Sequence, residues 1–179
     1  MAVLQTGLAK SLAEDYTIDQ SLRFDDGDSA YLHRTFATAG NRDSWTYSCW
    51  FKLGNLGADR YLLSAGTGNS GWVEYMRIQG SGVMKCQIVE SGTLEAAITT
   101  NALFRDVAAW YHAVWVYDSA NGTAGDRQRL YINGERVTSF SSETTGTQNQ
   151  DSYFINTAIE HAIGQATYGD DSYLGWLYG

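Results

Sequence analysis

At 179 residues the chain is expected to form one domain, large enough to bury roughly two-thirds of its extended surface without help from disulfides or metal. A net charge of −8 with only three scattered lysines disfavours binding to nucleic-acid phosphates or to an anionic membrane surface. No apolar run approaches the roughly 18 residues of a membrane-spanning helix, and proline is absent, so Gly, Asn, Asp and Ser must make the turns.

Residues 1–20 stand apart. They lack the basic start and apolar stretch of a secretory signal, and Glu14 and Asp15 interrupt them early. Gly7 to Tyr16 has a mildly helical composition, and the segment reads as a leader that attaches the domain over 21–179 or lies along it. From Ser21 strand signals are dense. Leu22 and Phe24 alternate with Arg23 and Asp25, and Ala30 to Phe36 reads as a second short strand. Trp45 to Leu53 alternates with period two: Trp45, Tyr47, Cys49, Phe51 and Leu53 share one face, and Thr46, Ser48, Trp50 and Lys52 the other. Tyr61 to Ala65 follows, then the loop Gly66 to Gly71, which has neither the Lys-Ser/Thr of a phosphate cradle nor a following helix. Trp72 to Ile78, Val83 to Glu90 and Leu94 to Thr99 complete the first half. Cys49 and Cys86 fall on apolar faces and read as small core residues, with a bridge between inner strands as the minority alternative.

The stretch Leu103 to Phe140 is the most legible. Trp110 to Asp118 is rich in aromatic and β-branched residues, which suit a half-buried strand. Asn133-Gly134 predicts a type I′ hairpin turn that pairs Ile132 with Glu135, Tyr131 with Arg136 and Leu130 with Val137. Ser141 to Ser152 is polar and aperiodic and reads as a long loop. Tyr153 to Ile155, Glu160 to Gly164 and Tyr173 to Tyr178 read as short strands. The chain then stops at Gly179 in what reads as a strand, which suggests a truncated last strand or a closing strand supplied by another segment. Strand signals spaced by about 8–12 residues indicate an all-β, two-sheet antiparallel sandwich or jelly roll.

The residues SLRFDDGDSAYLHRTF, SWTYSCWFKLGNLG, FRDVAAWYHAVWVYD, RLYINGERV, HAIGQ and YLGWLYG, in that order, resemble the laminin-G-like, concanavalin-A-like jelly-roll domain. The likeness covers about residues 20–179 and is nearest to copies in bacteriophage tail-fibre and virion structural proteins. It implies a two-sheet fold of about 14 strands. A fold of this kind hosts many sites, so function must be argued from side chains.

Glycoside hydrolysis needs two flanking carboxylates, on one strand as Glu-x-Asp-x-Glu in the related glucanases, and no such run occurs. Glu74 has no carboxylate two or four positions away. His33, His112 and His161 sit in separate strands without metal-ligand spacing, and His112 is expected to pin a neighbouring backbone carbonyl. The resemblance makes calcium conceivable at Asp118, Asp126, Asp170 and Asp171, but their spacing marks no cage and no metal or other cofactor is assigned. Among the aromatics, Trp72 beside the glycine-rich loop and Tyr168 are the expected ligand contacts, since an exposed ring can face a sugar. The leading expectation is a non-enzymatic virion appendage protein, a fibre, decoration or tail component. It would partner other virion proteins, form homo-oligomers and meet host-surface glycans. The alternative is an extracellular carbohydrate-binding module. Neither nucleic-acid binding nor membrane insertion is expected.

Overall fold

The structure is a computed structural model that describes residues 22–24, 30–68 and 71–167. The leader, the strand expected at 173–178, and Tyr168, Asp170 and Asp171 lie outside the described residues. Eleven strands are present among those described: β1 (Leu32–Thr35), β2 (Ser44–Phe51), β3 (Arg60–Gly66), β4 (Val73–Ile78), β5 (Val83–Glu90), β6 (Thr93–Leu103), β7 (Tyr111–Asp118), β8 (Gln128–Ile132), β9 (Glu135–Arg136), β10 (Phe140–Thr144) and β11 (Glu160–Ile163). They form two antiparallel sheets. One has seven strands in the order β1-β11-β3-β4-β5-β6-β10, and the other has four in the order β2-β7-β8-β9.

The alternation in β2 is realised as the sequence demands. Trp45 and Phe51 are buried, Tyr47 and Cys49 half-buried, and Ser44, Thr46, Ser48 and Trp50 exposed. Its neighbour β7 buries Ala113, Trp115 and Tyr117 at alternate positions. Trp45 meets Trp115 edge-on at 4.7 Å and stacks on Tyr117 at 5.4 Å, geometries that suit the charge distribution of aromatic rings. Against them the seven-stranded sheet sets Leu62, Met76, Ile78, Met84, Cys86, Ile88 and Ile98, all essentially inaccessible. Both cysteines are free thiols; Cys86 is buried and Cys49 half-buried. Burial pushes the Cys49 thiol up to about 11, which leaves it protonated and inert near neutral pH.

The hairpin between β8 and β9 has the expected register, Tyr131 opposite Arg136 and Ile132 opposite Glu135. Asn133 and Gly134 take φ of 52° and 84°, the two positive values of a type I′ turn. The Val137 N–H donates to Leu130 O at 2.8 Å and carries the pairing one residue further.

Two expectations need correction. Residues 141–144, read as the start of a long loop, join Phe140 in β10 and pair with β6. Phe140 packs against the core while Ser141, Ser142 and Glu143 are exposed, so this edge strand shows little apolar periodicity. Conversely, Tyr153 to Ile155 is not a strand but a bent segment, and Phe154 and Ile155 are buried. Its amides are turned onto a side chain instead of a ladder.

Candidate functional site

On the wet side of the four-stranded sheet, alternation leaves an aromatic where a polar residue is usual. Trp50 is 44% exposed, and the register sets it opposite His112. The two rings stack with centroids 4.9 Å apart and planes 18° from parallel. His112 Nε2 and Ser48 Oγ share a hydrogen bond of 2.8 Å, which fixes the imidazole from the neighbouring position of β2. The strand backbone is held there as well: His112 N–H donates to Asn133 Oδ1, and Asn133 N–H to His112 O, each at 2.8 Å. The expectation that the His112 ring pins a backbone carbonyl is thus corrected. A serine hydroxyl is its partner, because cross-strand side chains on one face lie closer than the ladder carbonyls.

At the start of β7, Tyr111 turns inward to stack on Phe51 at 5.3 Å and meet Phe104 edge-on at 5.2 Å. Trp110, the residue before β7, is 40% exposed. Trp50 and His112 therefore stand together on the outer face, with Ser48 bonded to the imidazole and Tyr131 opposite Val114 on the next strand, and Trp110 lies two residues before His112 in the chain. Among the described residues β2 is an edge strand of its sheet. Ser48 and His112 form a serine–imidazole pair, yet no carboxylate orients the imidazole among the described residues.

A second concavity of about 490 Å³ opens between the edge of β2 and strands β1 and β11. Trp45, Tyr47, Phe36, Leu63 and Ile163 make it largely apolar, and His161 and Asn156 close one end. Asn156 N–H donates to His161 Nε2 at 3.1 Å while Nδ1 faces Ile159 O at 3.0 Å, which together select the neutral Nδ1–H tautomer. Burial lowers the His161 pKa, opposed by the bond to Ile159.

Glu74, the acidic residue on a central strand, faces neither concavity nor solvent; it is 0% exposed. Its Oε1 accepts Tyr153 N–H at 2.6 Å, and its Oε2 accepts Ile155 N–H at 2.7 Å and the Ser152 hydroxyl. Burial raises its pKa, opposed by these donors. The carboxylate is a staple that holds the 152–155 segment over the core.

With this geometry in hand, the sequence matches the family model described as the concanavalin A-like lectin/glucanases superfamily over residues 25–177. The chain belongs to this superfamily. No curated protein matches it. Among solved structures, domains LG4-5 of the mouse laminin α1 chain are similar with a TM-score of 0.63 and 10% identity, covering 90% of this chain and 41% of that one. The Ruminococcus gnavus IT-sialidase CBM40 bound to α2,3-sialyllactose gives 0.53 and 14%, covering 84% and 88%. A mutant of the NanB sialidase from Streptococcus pneumoniae gives 0.62 and 16%, covering 88% of this chain but 24% of that enzyme. At these identities the likeness is one of fold, and the chain spans only part of the laminin and NanB structures.

For this member of the superfamily the described residues that sequence singles out do not form one site. Trp72 is 37% exposed at the turn before β4, with its ring edge-on to Phe154 at 6.4 Å, away from the Trp50 face. Tyr168 is outside the described residues. Asp118 faces Arg129 at 3.5 Å and Asp126 pairs with Arg136, so both are engaged by guanidinium groups. Among the described residues no three acidic, His or Cys side chains gather as a metal site. Trp50 carried the signal that sequence reading passed over: it is the one aromatic among Thr46, Ser48 and Lys52 on the polar side of β2.

Proposed function

We propose that this domain is a non-enzymatic carbohydrate-binding module that receives a sugar ring on the Trp50–His112–Trp110 face. The observation that carries the reading is the exposed Trp50 stacked on a hydrogen-bonded imidazole, with a second exposed tryptophan, Trp110, two residues before that histidine in the chain. An exposed tryptophan normally loses rotamer freedom when it binds, at a cost of roughly 0.5–1.5 kcal/mol per side chain. Trp50 is already held by His112, so less of that cost remains. The indole supplies a flat apolar face for the C–H side of a sugar, and Ser48, Lys52 and Tyr131 supply hydrogen bonds at its edge. The fold it shares with a sialidase carbohydrate-binding domain supports the same reading.

Trp72 is proposed as a secondary contact remote from this face, and Tyr168 as a further contact. The setting we favour is outside the cell. On the resemblance of its motif order to phage tail-fibre domains, we further propose a virion appendage that assembles as a homo-oligomer with other virion proteins and meets host-surface glycans. A glycan array tests the binding. Reproducible hits lost in Trp50→Ala and Trp110→Ala support the platform, hits lost only in Trp72→Ala or Tyr168→Ala move the site, and a blank array overturns the reading. Mass spectrometry of purified virions tests the setting, and absence of this polypeptide would refute it.

A further inference from the structure

The opposite surface of the molecule, the outer face of the seven-stranded sheet, holds a cross-strand arrangement that folding alone does not favour. The register sets Arg77 of β4 directly opposite Lys85 of β5, and Lys85 opposite Thr99 of β6, which is in turn opposite Ser142 of β10. Like charges directly opposite one another destabilise a sheet. Arg77 is satisfied where it stands. It pairs with Asp59 at 2.6 Å, donates to the Tyr61 hydroxyl at 2.7 Å, and lies over the Tyr75 ring at 4.6 Å. Asp59 is also fully used, since its other oxygen accepts Gly80 N–H at 2.9 Å. Lys85 is half-buried, and no carboxylate among the described residues lies within ion-pair distance of it. Burial and then the Arg77 charge lower its pKa, opposed by the charge of Asp59. The row Asp59–Arg77–Lys85 thus carries one anion and two cations, and the cation without an ion pair is the one beside the hydroxyl-bearing Thr99 and Ser142.

We infer that Lys85, set between Arg77 and Thr99, is a binding point for a carboxylate or sulfate group of a ligand lying on the outer face of the seven-stranded sheet. Such an anion relieves the repulsion between the two cations and supplies Lys85 with the acceptors it lacks, while Thr99 and Ser142 offer hydroxyl donors across the next two strands. Neighbouring Gln87, which accepts from the Tyr75 hydroxyl at 3.0 Å, is placed to meet the body of the ligand. The site is independent of the tryptophan platform, which faces the other way, so either can fail without the other.

The test is an amide-shift titration of the whole labelled chain with sodium glucuronate, sodium sulfate and glucose, at ionic strength held constant with sodium chloride. Saturable shifts at Arg77, Lys85 and Thr99 are expected with an oxyanion and not with glucose. Response to glucuronate alone marks a sugar carboxylate, and equal response to sulfate marks a site for any oxyanion. Lys85→Gln should weaken binding by at least about tenfold, the loss expected when one charge-assisted hydrogen bond goes, whereas Lys85→Arg should retain it. Without ligand, Lys85→Gln should melt at or above the wild-type temperature, since it removes a like-charge contact. Absence of saturable shifts, shifts unchanged in Lys85→Gln, or a Lys85→Gln protein several degrees less stable would overturn the inference.

Discussion

Glu74→Gln is the most incisive single change for the scaffold. The wild-type carboxylate accepts from three donors, the Ser152 hydroxyl and the amides of Tyr153 and Ile155. A carboxamide of the same shape keeps one oxygen and turns an N–H₂ toward the donors of the other. At least one buried amide then loses its acceptor, at about 1–3 kcal/mol, and a bond to a charged group worth about 1.5–3 kcal/mol is lost. Part of that is recovered because Gln needs no desolvation of charge, so a net cost of about 2–3 kcal/mol is expected at pH 7, or roughly 4–12 °C in Tm for a chain of this size. Ser152→Ala should cost about half as much, because only one donor goes. Urea unfolding gives the free energies, and hydrogen exchange at the Tyr153 and Ile155 amides locates the loss. The pH dependence carries a sign. Burial raises the Glu74 pKa above its ordinary 4.5, so the folded chain holds the proton more tightly than the unfolded chain does. Its contribution is therefore full below 4.5 and falls as pH rises through the folded-state value, and the gap to Glu74→Gln should be wider in acid than at pH 7. A Glu74→Gln protein within about 0.5 kcal/mol of wild type, with unchanged exchange at both amides, would refute the staple.

Other perturbations separate scaffold from surface. Trp50→Ala should abolish array binding while shifting stability by less than about 1 kcal/mol, because 44% of the side chain is already in water; a large fall in Tm would make Trp50 structural instead. His161 has a lowered pKa, so its contribution is full above the ordinary 6.5 and is lost as pH falls through the folded-state value; His161→Gln should flatten that acid limb in a thermal-melt series, and an unchanged limb would count against it. Gly134→Ala adds a Cβ that meets nothing within 4 Å at φ 84°, so its cost is backbone strain alone, about 1–2 kcal/mol by denaturant titration. A neutral result there would mean that the turn relaxes to another type.

Legibility in the sequence followed locality. Period two across Trp45 to Leu53 and the Asn133-Gly134 pair are written within a few residues, and both became the expected structures. β10 was hidden because an edge strand with one core residue, Phe140, carries no alternation worth reading. The bent segment at 153–155 was misread because its apolar residues are buried through Glu74, which lies 79 residues before Tyr153. The site residues divide the same way. Trp50 was visible as an aromatic on a polar face, whereas its neighbour His112 joins it only through the β2–β7 register. The Arg77–Lys85 opposition is likewise a product of register, since a shift by one residue would turn one of the two to the other side.

The separation between Glu74 and its partners also bears on the order in which the chain folds. Its bond to Ile155 spans 81 residues, so closing it comes at a large loss of chain freedom and waits until the sheets have met. The Asn133-Gly134 hairpin closes over a handful of residues and suits an early step. Loss of the staple is therefore expected to raise the unfolding rate with little effect on refolding, whereas strain at Gly134 should slow refolding. Lifetime of the native domain, more than its speed of formation, is what the buried carboxylate governs.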